Sequence, residues 1–160
     1  MHNHTRTNTA PGSLERAIEI ALTAHAGQTD KAGAPYILHP LRVMLAQNND
    51  AARIAAVLHD VVEDGDGWTL DSLRAEGFSP DVVTAVDHLT KREAEVEDYM
   101  AFVQRAAANA IARPVKLADI TDNLDVTRLQ EVTDKDRQRM NRYLEAREWL
   151  LAYAPGARLP

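Results

Sequence analysis

Leu14, Ala17, Ile18, Ala21 and Leu22 recur at alternating three- and four-residue spacing, an apolar stripe that predicts an amphipathic helix starting at Ser13. Ser13 is placed to accept from the free amides of the first turn, and Gly27 to end the helix. The stretch QTDKAGAPY that follows loses the period and is dense in turn-forming residues, so it reads as a loop. The helical pattern resumes in a second helix from about Pro40 to Gln47. A third is predicted from about Asp50 to Glu63, stopped by the GDG that follows. It continues through SLRAEG, SPDVVTAVDHLT, VEDYMAFVQRAAAN and RPVKLADITDNLD, with a last long helix from about Asp134 to Tyr153. No stretch alternates as a half-buried strand does, and there is no repeat or low-complexity tract, so the predicted fold class is all-α.

The chain has 160 residues, 45% of them hydrophobic, which fits one domain with a proper core. Its predicted parts are a loose tail at 1–12, a helical domain at 13–153 and a short tail at 154–160. His2 and His4 read as part of the first tail rather than as metal ligands. No window has the apolar run of a signal peptide or a membrane span, and a cytoplasmic protein is expected. The absence of cysteine excludes disulfides, thiolate metal sites and cysteine nucleophiles, leaving His, Asp and Glu to hold any metal. A net charge of −6 argues against a nucleic-acid surface. An anionic small molecule is still compatible, provided a metal and a few local cations reverse the field inside one cleft.

Chemistry concentrates in AAVLHDVVEDG. On a helix Glu63 falls one turn below His59, and Asp64 one turn below Asp60, so four polar groups crowd the end of an apolar segment. Burying three carboxylates there is costly without a cation or dense hydrogen bonding. A solvated helix end and a functional cluster account equally well for these residues alone. Two further residues shift the balance: His39 in PYILHPL and Asp119 in VKLADITDN, each set among apolar neighbours. Either alone is more often structural, but together with His59 and Asp60 they supply two imidazoles and two carboxylates. That mixed set suits Mn²⁺, Fe²⁺ or Zn²⁺ and leaves coordination positions open for water and substrate.

In order along the chain, AHAGQTDKAGAPYILHPLRV, AAVLHDVVEDG, HLTK, DYMAFVQRAAANAIARPVKLADITDNLD and RMNRYLEA resemble the hydrolase (HD) domain of the RelA/SpoT homologues. They resemble above all the stand-alone small alarmone hydrolases, over residues from about 14 to 150. The resemblance implies a compact HD-type helical bundle that holds Mn²⁺ through His39, His59, Asp60 and Asp119. It implies that Glu63 and Asp64 position and activate the attacking water, and that Asn123 contacts the nucleotide near the metal. The reaction it implies removes the 3′-pyrophosphate of guanosine tetra- or pentaphosphate, giving GDP or GTP and pyrophosphate.

The base-recognition edge departs from the family pattern. Relatives usually carry an Arg-Lys-Ser-like triplet whose Arg stacks on guanine, whereas this chain has Asp30, Lys31 and Ala32. Lys31 survives as a substrate contact. A carboxylate at 30 cannot stack as a guanidinium does, which leaves room for adenosine 3′-pyrophosphates. The segment after LAD also lacks the basic residue often found there. Lys116, three residues before Asp119, is a further candidate substrate contact; for Lys91 and Arg113 phosphate binding and plain surface charge weigh equally. Tyr143 and Arg139 lie four apart on the last helix, with packing the favoured role for Tyr143. His25 is expected to brace the first loop, and Trp68, Trp149, His88 and the methionines to pack or face solvent. Two rivals use the same residues: another HD-scaffold nucleotide phosphatase, such as one acting on NADPH-type 2′-phosphates, and a non-enzymatic nucleotide sensor. Oligomeric state is left open by the sequence.

Overall fold

Helices begin where the sequence supplies a cap. In the computed structural model, which describes residues 9–153, Ser13 accepts from the Arg16 amide and opens α1 (Leu14–Ala24). Gly27, at φ +77°, turns the chain after it. His2, His4 and the tail at 154–160 lie outside the described residues. Thr9 and Gly12, within the predicted first tail, bond to Glu19 and to the Glu76 carbonyl. Helix α2 (Leu38–Leu45) starts and ends two residues earlier than the pattern predicts, because the Tyr36 carbonyl already accepts from the His39 amide. Asn49 caps α3 (Asp50–Leu58), and a short α4 (Val61–Asp64) follows. Next come α5 (Leu70–Ala75), α6 (Pro80–Leu89), α7 (Tyr99–Ala108) and α8 (Ala112–Asn123), then α9 (Asp134–Ala152), opened by a reciprocal Thr133–Asp136 capping box. Among the described residues there is no strand, only an isolated bridge between Thr29 and Pro35, so the all-α expectation holds.

The third helix is the main correction. It does not run unbroken from Asp50 to Glu63 but stops at Leu58 and restarts at Val61. In a continuous helix the Ala56 carbonyl would accept from the Asp60 amide. Here it accepts from the His59 ring, Nδ1 lying 2.6 Å away. Asp60 sits at φ −106° and ψ 0°, between helical and extended backbone. Apolar periodicity does not register such a break, because it reports which side chains are buried and not which amide a carbonyl serves.

Helix α3 is apolar on nearly every side, and Ala55, Ala56, Val57 and Leu58 are fully buried. It therefore sits in the middle, with α1, α2, α6 and α8 packed around it. A second, smaller cluster joins Val103 of α7, Ile120 of α8 and Ala146 and Leu150 of α9. Helix α8 belongs to both: Ala112 and Val115 face the first core, and Ile120 the second. Its polar residues Lys116, Asp119, Asp122 and Asn123 line the clefts between these packed groups. No described helix is long and apolar enough to cross a membrane.

Candidate active site

The break after α3 brings His59 and Asp60 toward His39 on α2. These three offer donor atoms all within 4.8 Å of one another. Asp119 of α8 joins them, its Oδ1 lying 3.2 Å from His39 Nε2 and 3.8 Å from His59 Nε2. The side chains named from the sequence as metal ligands thus converge from three directions. Both rings are fixed through their other nitrogen. His59 Nδ1 donates to the Ala56 carbonyl, and His39 Nδ1 lies 2.7 Å from Asp122 Oδ2. A neutral imidazole that donates through Nδ1 keeps its lone pair on Nε2, the arrangement seen in metal-ligating histidines. His59 Nε2 is buried and makes no hydrogen bond among the described residues. A ring nitrogen enclosed 2.9 Å from Asp60 Oδ2 and 3.8 Å from Asp119 Oδ1 is placed to share a divalent cation with both carboxylates, and the donor set suits one.

Electrostatics agree with this picture. Burial opposes an imidazolium at 39, but hydrogen bonds to Asp119 and Asp122 outweigh it and hold the His39 pKa up to about 10. Burial likewise opposes the Asp60 and Asp119 carboxylates. His59 beside Asp60, and Lys116 and His39 beside Asp119, overcome it and keep both well below the usual carboxylate range. Tyr36 donates its hydroxyl to Asp60 Oδ2, and the Asn123 amide donates to Asp119 Oδ1 at 2.8 Å.

Lys116 was expected to touch substrate. It is buried, its Nζ 2.9 Å from Asp119 Oδ2 and 4.1 Å from the centre of the Phe102 ring. In this position it balances the charge of Asp119, and it also lines the cavity that holds Glu63 and Asp64. Sequence reasoning missed Asp122, which receives His39, accepts from Arg42 Nε at 2.6 Å and has Arg128 beside it. Its one visible signal was its place three residues after Asp119, on the same helix face.

Glu63 and Asp64 are exposed at the mouth of this cluster. The Asp64 amide bonds to the Asp60 carbonyl, which places Asp64 one turn from that candidate ligand. Burial against the cleft wall, then the charge of Asp60, push both carboxyls above their ordinary pKa, while Lys91 pulls the other way. A carboxylate raised in this way is a better proton acceptor near neutral pH.

Two adjoining cavities of about 300 Å³ each meet at Lys31, Tyr36, His39 and Asn123. One holds Glu63, Asp64, Lys91 and Tyr143; the other holds Asp30, Arg42, Arg128 and Arg139. Lys31 is drawn below its ordinary pKa, first by burial and then by Arg139. Asp30 Oδ1 accepts from the amides of Ala32 and Ala34, so one of its oxygens shapes its own loop. Arg113 is apart from both cavities, donating to the Ala107 carbonyl and stacking on Tyr153. His88 bonds to the Arg105 carbonyl, and Tyr143 packs on Tyr99 with ring centres 5.7 Å apart.

The chain is 33% identical over 156 residues to a Vibrio cholerae guanosine-3′,5′-bis(diphosphate) 3′-pyrophosphohydrolase, which covers 89% of this chain and 21% of that protein. It is 33% identical over 153 residues to the Escherichia coli bifunctional (p)ppGpp synthase/hydrolase SpoT, with the same two coverages. A Streptomyces coelicolor GTP pyrophosphokinase is 34% identical over 153 residues, covering 89% of this chain and 17% of its own length. The chain thus spans about a fifth of the length of these curated relatives. Its fold is that of a metazoan SpoT ortholog reported to hydrolyse ppGpp, at a TM-score of 0.72 and 24% identity over 89% of this chain and 87% of that one. With residues 17–158 matching the family described as the HD domain, the chain belongs to the HD domain family.

Proposed function

We propose that the chain is a Mn²⁺-dependent hydrolase that removes the 3′-pyrophosphate of purine nucleotides, with (p)ppGpp or (p)ppApp as substrate. The observation that carries this reading is the pair of imidazoles, each with Nδ1 committed to a fixed acceptor and Nε2 turned toward the same two carboxylates. His39, His59, Asp60 and Asp119 would hold the ion. A divalent ion bound there supplies Lewis-acid polarisation of a phosphate oxygen and acidifies water. Glu63 or Asp64 accepts the proton of the attacking water as its oxygen bonds to the phosphorus next to the ribose. The bond from that phosphorus to the 3′-oxygen breaks, and the proton passes to the 3′-oxygen. Lys31 and Asn123, shared by both cavities, hold the nucleotide across their junction, and the cavity lined by Asp30, Arg42, Arg128 and Arg139 receives its nucleoside part.

That two of the curated relatives named above are called a guanosine-3′,5′-bis(diphosphate) 3′-pyrophosphohydrolase and a (p)ppGpp synthase/hydrolase supports the same reading. The test is incubation of purified, Mn²⁺-loaded protein with a panel of guanosine and adenosine 3′-pyrophosphates, the products being resolved by chromatography. The expected products are the 5′-di- or triphosphate nucleosides and pyrophosphate. Turnover confined to NADPH-type 2′-phosphates would favour the other phosphatase reading, and nucleotide binding without turnover a sensor.

A further inference from the structure

The AHAGQ segment has no part in the chemistry described so far, yet its side chains are tied to the turn that carries the catalytic pair. Gln28 Nε2 donates to two carbonyls, Ala24 at the end of α1 at 3.3 Å and Asp64 at the end of α4 at 3.0 Å. Its Oε1 lies 2.9 Å from His25 Nδ1. Since the amide nitrogen is committed to carbonyls, Oε1 is the acceptor and His25 Nδ1 the donor. His25 is itself buried, packed against Tyr36 with ring centres 5.0 Å apart. Its side chain therefore has little freedom, and it fixes which way the Gln28 amide faces.

A second contact joins the same two places. Gly65 follows Asp64 at φ −96°, a conformation open to any residue, so its glycine is not there for backbone freedom. A Cβ at 65 would lie 2.8 Å from the Ala24 Cβ and 2.5 Å from the Val61 carbonyl oxygen. The end of α4 is thus pressed directly onto Ala24, whose carbonyl also accepts from Gln28.

We infer that His25 and Gln28 are positioning residues for Asp64: a His–Gln clamp, its His buried and its Gln half-buried, anchored at the end of α1, that holds the backbone of the α4 turn and so aims the Glu63–Asp64 pair at the substrate. Neither residue touches the metal ligands by hydrogen bond. Release of the clamp lets the far end of α4, at Asp64, shift against α1, while His39, His59 and Asp119 stay in place and Asp60, at the near end, keeps its tie to Tyr36. Displacing a catalytic group by about 1 Å costs roughly a hundredfold in rate, so loss of the clamp falls on turnover and spares binding.

This inference rests on the function proposed above, and the experiment separates the two. Gln28→Met keeps the size of the side chain and removes its hydrogen bonds. With a 3′-pyrophosphate that the wild type hydrolyses, kcat is expected to fall between about ten- and a hundredfold, with KM and Mn²⁺ affinity within about twofold of wild type. Gln28→Glu keeps the acceptor for His25 and loses the donor to Asp64. It should show the same loss, and it takes the place of the Met variant if that fails to fold by circular dichroism. A kcat within twofold of wild type in the folded variant overturns the clamp. So does a kcat loss matched by loss of Mn²⁺ affinity, which would make Gln28 part of the metal cage. If wild type hydrolyses none of the panel, the proposed function falls and the clamp is judged by amide hydrogen exchange alone. Exchange in residues 61–65 accelerated at least tenfold by Gln28→Met, with α2 and α8 unchanged, supports it. Unaltered exchange there overturns it.

Discussion

The two ends of the cleft are built to different standards of rigidity. At the end proposed for the metal each candidate ligand has a fixed partner: His59 has Ala56, His39 has Asp122, Asp60 has Tyr36, and Asp119 has Lys116 and Asn123. At the end proposed for the nucleoside, Asp30 closes its own loop and Arg139 pairs with Asp136 one turn away, while Arg42 and Arg128 divide their hold between themselves on one carboxylate, Asp122. A metal demands fixed donors, whereas a nucleoside can be held by many combinations of cations and planar surfaces. A substitution at Asp30 should therefore be absorbed at the second end, where a change at the first should not.

The largest expected effect belongs to Glu63 and Asp64, the proposed catalytic pair. Replacing Glu63 by Gln and Asp64 by Asn together should lower kcat by about 10²–10⁴, the range for general acid–base groups. Mn²⁺ content by elemental analysis should be unchanged, and metal loss would move both residues into the metal cage. Next comes Asp122, the partner that the sequence did not announce. Asp122→Asn keeps the shape of the side chain but weakens its hold on His39, and about ten- to a hundredfold of Mn²⁺ affinity should go with it. Calorimetric titration of both proteins decides this, and equal affinities would show that Asp122 serves only Arg42 and Arg128.

A pH dependence follows from the histidines. Without metal the His39 pKa is raised, to about 10, so near neutrality the ring carries a proton that a metal must displace. Affinity should therefore climb as pH rises, by about tenfold per unit for each proton displaced, and level off as pH passes 10. Asp60 and Asp119, held low, stay ionised throughout and add nothing to the slope. Titrations at several pH values in two buffers of different ionisation enthalpy measure the slope and the proton release. A flat profile from pH 6 to 9 would break the assignment of His39 as a ligand.

The smallest effect is expected at the nucleoside end. A stacked guanidinium contributes about 0.5–2 kcal/mol, so Asp30→Arg should shift kcat/KM toward guanosine by a few-fold to about thirty-fold. Adenosine 3′-pyrophosphates should be hydrolysed by the unaltered chain at least as well as guanosine ones. A guanosine preference already present, and unmoved by Asp30→Arg, would show that this position does not choose the base.

Periodicity and caps made most of the fold legible: Ser13, the bounds of the last helix and the all-α class need only local chemistry. His39, His59, Asp60 and Asp119 were also visible, since polar residues in apolar surroundings stand out. Asp122 and Lys116 were harder. Asp122 matters because α2 brings His39 and Arg42 to it from about eighty residues away in sequence, and Lys116 turned inward to Asp119 because Phe102 and Tyr99 of α7 close over it. Such long-range arrivals leave no local pattern.

The interruption between α3 and α4 bears on any attempt to move this site elsewhere. Neighbouring residues on an unbroken helix point about 100° apart, so His-Asp written into a straight helix would present its two donors to different surroundings. An engineer transplanting HDVVED into another bundle would carry over the letters and lose the function. The portable unit is the kinked backbone with the Ala56 carbonyl surrendered to the His59 ring, and a scaffold worth choosing is one that already tolerates a carbonyl taken out of its helical ladder at that point.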